Sequence, residues 1–381
     1  MPKSWAPKIW LAIAWAIFGL GLGPLAEIQA DDKKLKIGFG AALLGNLASY
    51  GQSNFFGLEY AVLKANKNGG ILGQTLEIVI ADDSCNPAQA KIAAKKLLNK
   101  DVKLIIGHTC SGATRAALDV YGDKALVISG SATENALTDS GKYPYFFRAT
   151  PRGDIQVKLQ LALLRKNGYR QVAILHDKSD YGEAMAENAR QLLTASPDSQ
   201  FQVTIFAGLN PGQDYEAIIA KLLETKTEAL IWGGYYNDAA KLATQIHQKD
   251  PNFPIIGSDG LKDNRFLNLA QKAAEGVYCV GQPSLSHSQA AQEALKDHRS
   301  RYYSQEVGSY FFYAAGAAEA LFAALTKAGT TDNFAAIKKS LNEDTVETVM
   351  GPIRFDAKGD IIGAGYKMFQ VRQGRFVEVP L

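Results

Sequence analysis

Short β-branched and aliphatic runs alternate with Ala- and Leu-rich stretches of helical spacing along most of this chain. No other feature narrows the possible folds as far. The sharpest instance is Ile105-Ile106-Gly107-His108-Thr109-Cys110-Ser111-Gly112-Ala113-Thr114. Residues 102–106 read as a buried parallel strand and 113–121 as a helix. The small residues between them form a strand-to-helix turn at the carboxyl edge of a sheet, where open α/β sheets hold their ligands. Ser111 falls where a helix N-cap belongs, and the free N–H groups of a first helical turn favour an anion. On that reading a small carboxylate accepts bonds from the Ser111 hydroxyl and from the backbone. On a plainer reading Ser111 only caps its own helix.

The same rhythm extends in both directions. Residues 36–39 read as a first strand, followed by a polar loop over 40–53 that carries Tyr50. Phe55, Leu58, Val62 and Ala65 recur at helical spacing until Asn68-Gly69-Gly70 stops them. Residues 76–81 alternate as a strand, and Asn86-Pro87 is a good cap and first position for the next helix. The strand at 125–129 leads into Gly130-Ser131-Ala132-Thr133. This first part reads β-α-β-α-β-α-β, a right-handed parallel arrangement. Near residues 148–152 the pattern restarts, with strands at 172–175, 202–206, 229–232 and 254–257, helices between them, and a further strand at 277–280. After Gln282-Pro283 come helices at 289–303, 309–327 and 334–341, then strands near 353–355 and 366–372. Those late helices either extend the second sheet or cross back to the first.

A chain of 381 residues exceeds one ordinary core and suits two domains. With 21% charged and 47% hydrophobic residues it is globular. With a formal charge of only +3 and no basic run interleaved with aromatics, nothing points to nucleic acid and no such partner is expected. The N-terminus reads as a secretory signal peptide over 1–30: Lys3 and Lys8 precede an apolar stretch at 9–25, with the cut after Ala30. An uncleaved membrane anchor is the alternative. Export places the mature chain in the periplasm and permits a disulfide. Cys85 and Cys110 fall in loops after successive strands, which favours their pairing, whereas Cys279 reads as a buried strand thiol.

Catalytic patterns are weak. His108, His176, His247, His287 and His298 lack metal-ligand spacing, and no Gly-x-Ser-x-Gly elbow occurs. Gly38-x-Gly40 lacks the third glycine of a dinucleotide fingerprint, so no cofactor is expected. Asp82-Asp83 reads as a capped, solvated turn. A binding set fits better. Tyr50, Ser111, Thr133, Tyr181 and Asp259 all fall at or beyond strand carboxyl ends. Two hydroxyls and helix N-termini suit a carboxylate, one acidic residue suits an ammonium, and tyrosines suit an apolar wall. Together they describe a free α-amino acid. Asp259 also fits as an ordinary Asp-Gly turn residue.

Five longer motifs carry a resemblance: Ala81-Asp82-Asp83-Ser84-Cys85-Asn86-Pro87, Ile106-Gly107-His108-Thr109-Cys110-Ser111, His176-Asp177-Lys178-Ser179-Asp180-Tyr181-Gly182-Glu183, Gly233-Gly234-Tyr235, and Asp344-Thr345-Val346-Glu347-Thr348-Val349-Met350-Gly351-Pro352. With them the chain resembles the periplasmic leucine/isoleucine/valine-binding proteins of ABC uptake systems, from Lys36 to about Lys367. The resemblance implies an α/β fold of two doubly wound parallel-sheet lobes joined by a three-strand hinge, the type I periplasmic binding protein. It implies a first lobe from 31–149 and 283–366, and a second from 150–282 and 367–381. A Cys85–Cys110 disulfide is implied as well. Ser111 would bind the ligand carboxylate, and Thr133, with Ala132 and the backbone at Ser131, would help bind the ligand. Tyr50 would wall the side-chain pocket, and Tyr181 and Tyr235 would contact the ligand from lobe two. Asp259 stands where the family often has a glutamate for the ligand ammonium, one methylene shorter here. The Gly308–Tyr313 region departs from the pattern, so its pocket aromatic is not assigned from sequence. The implied partners are a small amino acid and an inner-membrane permease, with a monomeric chain. The alternatives are a sensor of amides, urea or other amino acids, and an exported hydrolase.

Overall fold

The computed structural model describes residues 34–195, 200–285, 288–303 and 306–381. The signal-peptide reading and His287 lie outside them. The chain opens with β1 (Leu35–Ala41), α1 (Ala48–Lys67), β2 (Leu76–Asp82), α2 (Pro87–Asn99), β3 (Leu104–Gly107), α3 (Ser111–Tyr121), β4 (Leu126–Ser129), α4 (Ala136–Asp139) and β5 (Phe146–Arg148). The five strands form one parallel sheet in the order β2-β1-β3-β4-β5. β3 and β4 are buried along their whole length, because helices cover both faces of the sheet. Asn86 caps α2 by accepting from the Ala88 and Gln89 N–H groups at 2.9 and 3.1 Å, with Pro87 in the first position.

The middle of the chain gives α5 (Gly153–Asn167), β6 (Gln171–His176), α6 (Asp180–Thr194), β7 (Gln202–Gly208), α7 (Glu216–Glu224), β8 (Ala229–Gly233), α8 (Tyr236–Lys249), β9 (Ile255–Gly257), α9 (Asn264–Ala270) and β10 (Tyr278–Gly281). The remainder is α10 (Gln289–Tyr302), α11 (Phe311–Ala328), α12 (Phe334–Glu343), β11 (Val346–Thr348), β12 (Gly351–Phe355), β13 (Ile361–Ile362), β14 (Lys367–Arg372) and β15 (Arg375–Val379). The second sheet runs β15-β14-β10-β9-β8-β6-β7, parallel from β10 to β7 and antiparallel at its β14–β15 edge. β11, β12 and β13 form a small antiparallel sheet.

The late helices cross back. Ala317, Leu321 and Leu325 of α11 and Ile337 of α12 share one core with Ile37, Ile106 and Ile128 of the first sheet. Helix α11 lies close against α1 because Gly57 leaves room: a Cβ there would meet the Phe311 carbonyl oxygen at 2.0 Å. The chain passes between the two sheets three times, after β5, after β10 and before β14. A buried network braces two of the crossings. Arg148 donates to Asp360 at 2.5 Å and to the Glu134 carbonyl at 2.7 Å, and Arg152 reaches the same carboxylate at 3.2 Å.

Three local readings need correction. Tyr50 sits in the first turn of α1, since the helix begins at Ala48 and the preceding loop is shorter than its polarity suggests. Cys85 and Cys110 are bonded, with Cα atoms 5.4 Å apart, but their strands are not neighbours. β1 lies between β2 and β3, and the two loops meet beyond its carboxyl end. Asp83 is fully buried, with Oδ2 2.6 Å from His108 Nδ1, while His108 Nε2 lies 2.9 Å from the Tyr121 hydroxyl. Asp82 keeps the turn role, accepting from the Leu43 N–H at 2.7 Å and from the Ser84 hydroxyl. Cys279 is the buried thiol of β10.

Candidate functional site

The carboxyl ends of the two parallel sheets supply the loops that meet at the cleft. From the first lobe, Cys110 takes the N-cap position of α3 with no side-chain cap, and Ser111 is the first helical residue. That displaces the plainer reading of Ser111. Its hydroxyl accepts the Glu134 N–H at 3.3 Å, so it ties the β3 turn to the β4 turn. The β4 turn is held from below: Ser129 donates to the His108 carbonyl at 2.8 Å and accepts from the N–H groups of Ser131 and Ala132. Ser131 Oγ donates to the Thr109 carbonyl at 2.8 Å. The hydroxyls of Thr109 and Thr133 are buried and, among the described residues, have no hydrogen-bond partner. The α3 N-terminus thus stands among four hydroxyl side chains in a site closed to solvent, which suits a carboxylate.

The second lobe answers with tyrosines and one acid. Asp177 organises both of its loops, accepting from the Ser179 N–H at 3.0 Å and the Tyr235 N–H at 2.9 Å. Tyr181, in the first turn of α6, stacks on Tyr235 with ring centres 5.0 Å apart. Tyr50 of the first lobe packs 5.8 Å from Tyr235 and 5.6 Å from Tyr310. Its hydroxyl donates to the Gly260 carbonyl across the cleft. Between them lies a small cavity walled by Tyr50, Thr109, Cys110, Ser111, Ser131, Tyr181, Tyr235 and Tyr310.

Asp259 is 1% exposed in a short 3-10 turn after β9. It is not a wall residue of the cavity. It is joined to the wall through Tyr181, which donates to Oδ1 at 2.8 Å, and Tyr310, which donates to Oδ2 at 3.1 Å. Burial raises its pKa, and hydrogen bonds from Tyr181, Gln156 and Tyr310 oppose that rise. Burial likewise pushes the phenols of Tyr50, Tyr181, Tyr235 and Tyr310 up, so all four stay neutral donors.

The structure therefore brings together Tyr50, Ser111, Ser131, Tyr181 and Tyr235, with Ala132, Thr133 and Asp259 buried outside the cavity wall. Tyr310 is the aromatic that the sequence left unassigned. As the N-cap of α11 it sits at a helix boundary that periodicity places two residues too early. Thr109 and Gln156 carry no sequence signal of their own, the first being an ordinary turn residue and the second lying inside a helix. The lobes also meet through Arg115, which reaches Glu134 of its own lobe at 2.8 Å and Asp180 of the other at 2.6 Å. Among the described residues no cluster of His, Cys, Asp or Glu has metal-site geometry, and no helix is long and apolar enough to cross a membrane.

The chain matches the family model "Periplasmic binding protein" over residues 34–375. It is 31% identical over 348 residues to the Leu/Ile/Val-binding protein of Citrobacter freundii, covering 90% of this chain and 92% of that one. It is 30% identical over 359 residues to the leucine-specific-binding protein of Salmonella typhimurium, covering 92% and 94%. Among solved structures, the branched-chain amino acid transporter substrate-binding protein LivJ of Streptococcus pneumoniae, in complex with isoleucine, superposes with a TM-score of 0.79 at 25% identity. That match covers 91% of this chain and all of LivJ. A leucine-binding protein of Thermotoga maritima superposes at 0.80 with 19% identity, which bears on the fold. Two lobes of parallel sheet, three crossings between them and a closed polar cleft at the strand carboxyl ends agree with these matches, and the chain belongs to the periplasmic binding protein family.

Proposed function

We infer that this protein is the solute-binding component of an ABC uptake system. It captures a branched-chain or related aliphatic α-amino acid between its lobes in the periplasm and delivers it, as a monomer, to a membrane permease. Residues 31–149 with 283–366 move as one lobe and 150–282 with 367–381 as the other. Ser111, Thr133, Ala132 and the backbone at Ser131 take the ligand carboxylate. Asp259 takes the ammonium, and Tyr50, Tyr181 and Tyr235 wall the side chain, joined by Tyr310. The reading contains no catalytic step. The observation that carries it is the pairing of a helix N-terminus ringed by hydroxyls with a buried acid across one tyrosine-walled cavity. The names of the relatives supply the substrate class.

One observation favours a second reading. Asp259 already accepts three side-chain hydrogen bonds, from Gln156, Tyr181 and Tyr310. A carboxylate lacking an ammonium would leave that acid to its protein donors. A thermal-shift panel on the refolded, ligand-stripped protein separates the two readings. A solute at a hundredfold its dissociation constant adds about 2.7 kcal/mol of stability. Leucine, isoleucine or valine should raise the melting temperature more, at equal concentration, than amine-free carboxylates, amides or urea. A panel in which only amine-free acids act gives the site to the second reading. A panel without any response overturns solute capture by this cleft.

A further inference from the structure

We propose that Gln156 is a positioning residue for ammonium recognition: it fixes the Asp259 carboxylate so that Oδ2, the oxygen with fewer side-chain donors, is the one presented to the ligand. The proposal rests on Asp259 being the ammonium partner, as inferred above. Gln156 lies in the first turns of α5, just past the first crossing, and is fully buried. Its Nε2 donates to Asp259 Oδ1 at 2.9 Å, and its Oε1 accepts the Asp259 backbone N–H at 2.8 Å. This two-point clamp has one workable orientation, since a flipped amide would set oxygen against carboxylate and N–H against N–H. One helical turn on, Gln160 Nε2 lies 3.2 Å from both the Gly257 carbonyl and Ser258 Oγ. Positions i and i+4 share a helix face, so Gln160 meets the two residues before the acid, while Gln156 alone of the two bonds to Asp259 itself.

The two carboxylate oxygens are treated differently. Oδ1 receives Gln156 and Tyr181, both from the second lobe, and the Tyr181 hydroxyl in turn accepts the Gly260 N–H at 3.0 Å. Among the described side chains Oδ2 receives only Tyr310, from the first lobe, at 3.1 Å. With two side-chain donors on Oδ1 and one on Oδ2, the less engaged oxygen is Oδ2, the one bonded from the opposite lobe. Without Gln156 the carboxylate is free to rotate about its Cβ–Cγ bond and to share its donors differently. A short aspartate then loses the aim that the clamp gives it.

The test compares leucine with 2-hydroxy-4-methylpentanoate, which replaces the ammonium by a neutral hydroxyl, by calorimetry on the full mature chain. The wild type should prefer leucine. In Gln156→Met the preference should shrink by about tenfold or more, the scale of hydrogen bonds to a charged group. Hydroxy-acid affinity should move by less than about threefold on the same scale. Gln160→Met, which removes the neighbouring glutamine's bonds, should keep the wild-type ratio. If Gln156→Met does not fold, Gln156→Asn retains a buried amide one methylene short of the clamp and should lose the preference in part. Equal loss of both ligands, or an unchanged ratio, overturns the proposal. A wild type that does not discriminate the two ligands overturns the Asp259 reading itself.

Discussion

Asp259 is a carboxylate with 1% exposure and, among the described residues, no ion-pair partner. Burial penalises its charge, and three side-chain donors hold the charge in place. On the proposed assignment an arriving ammonium adds the missing countercharge. Removing the acid leaves that ammonium buried and unpaired, so Asp259→Ala should weaken leucine binding by at least about 2 kcal/mol in calorimetry. The raised pKa gives the acid a pH signature. Only the ionised form pairs with an ammonium, so affinity is full above the pKa of the free site and falls as pH drops through it. Because that pKa is raised, the fall should begin above the ordinary aspartate value of about 3.9. For the ligand-free protein the sign is opposite: folding favours the protonated acid, so stability falls as pH rises from the unfolded-state value through the folded one. Leucine titrations from pH 7 downward should show the early fall in the wild type and lose it in Asp259→Asn. A wild-type curve flat to pH 4 would place the ammonium elsewhere.

At the scale of elements, helices α3 and α6 meet across the cleft end to end. Arg115 bridges Glu134 and Asp180, and the approach is tight enough that a Cβ on Gly112 would meet Asp180 Oδ2 at 2.0 Å. The contact exists only when the lobes are together, so it acts on release more than on capture. Arg115 and Asp180 are each about a third or more exposed, and a pair of that kind contributes about 0.2–1 kcal/mol. Asp180→Asn should therefore raise the leucine dissociation rate about 1.4- to fivefold in stopped flow, with the association rate nearly unchanged. An unchanged dissociation rate makes the bridge a bystander. Elements of this size were largely legible in the sequence. The buried strands 102–106 and 125–129 have no alternative period, and their turns carry the site. What escaped depends on tertiary placement. β5 and β15 are short or at an edge, and the order that puts β1 between β2 and β3 has no local signature. Tyr310 faces the cleft because α11 returns to the first lobe. Gln156 meets Asp259 across 103 residues of sequence. Asp83 reads as a turn acid until His108 is folded onto it.

The whole molecule has to open. Ser111 is 2% exposed and Asp259 1%, so a solute reaches neither while Tyr50 bonds to the Gly260 carbonyl and Ser309 Oγ to the Lys262 carbonyl at 2.7 Å. Each bond joins one lobe to the other, and among the described residues the chain joins the lobes at three crossings. Two crossings are stiffened by Arg148, Asp360 and Arg152, and the Tyr366 hydroxyl donates to the Pro151 carbonyl at 3.0 Å. Opening therefore pivots on a few braced backbone positions while both sheets stay intact, the pattern of a hinge. A ligand that contacts both lobes binds the closed form better and shifts the population by that difference alone. Small-angle scattering should then give a ligand-saturated radius of gyration near the compact value for this length, about 20 Å. The stripped protein should exceed it by on the order of 1 Å, as two lobes splay without unfolding. The excess should disappear on adding leucine and persist with an amine-free analogue that leaves Asp259 unpaired. Identical scattering curves with and without leucine would mean that the lobes do not hinge, and that solute enters by local movement of the tyrosines instead.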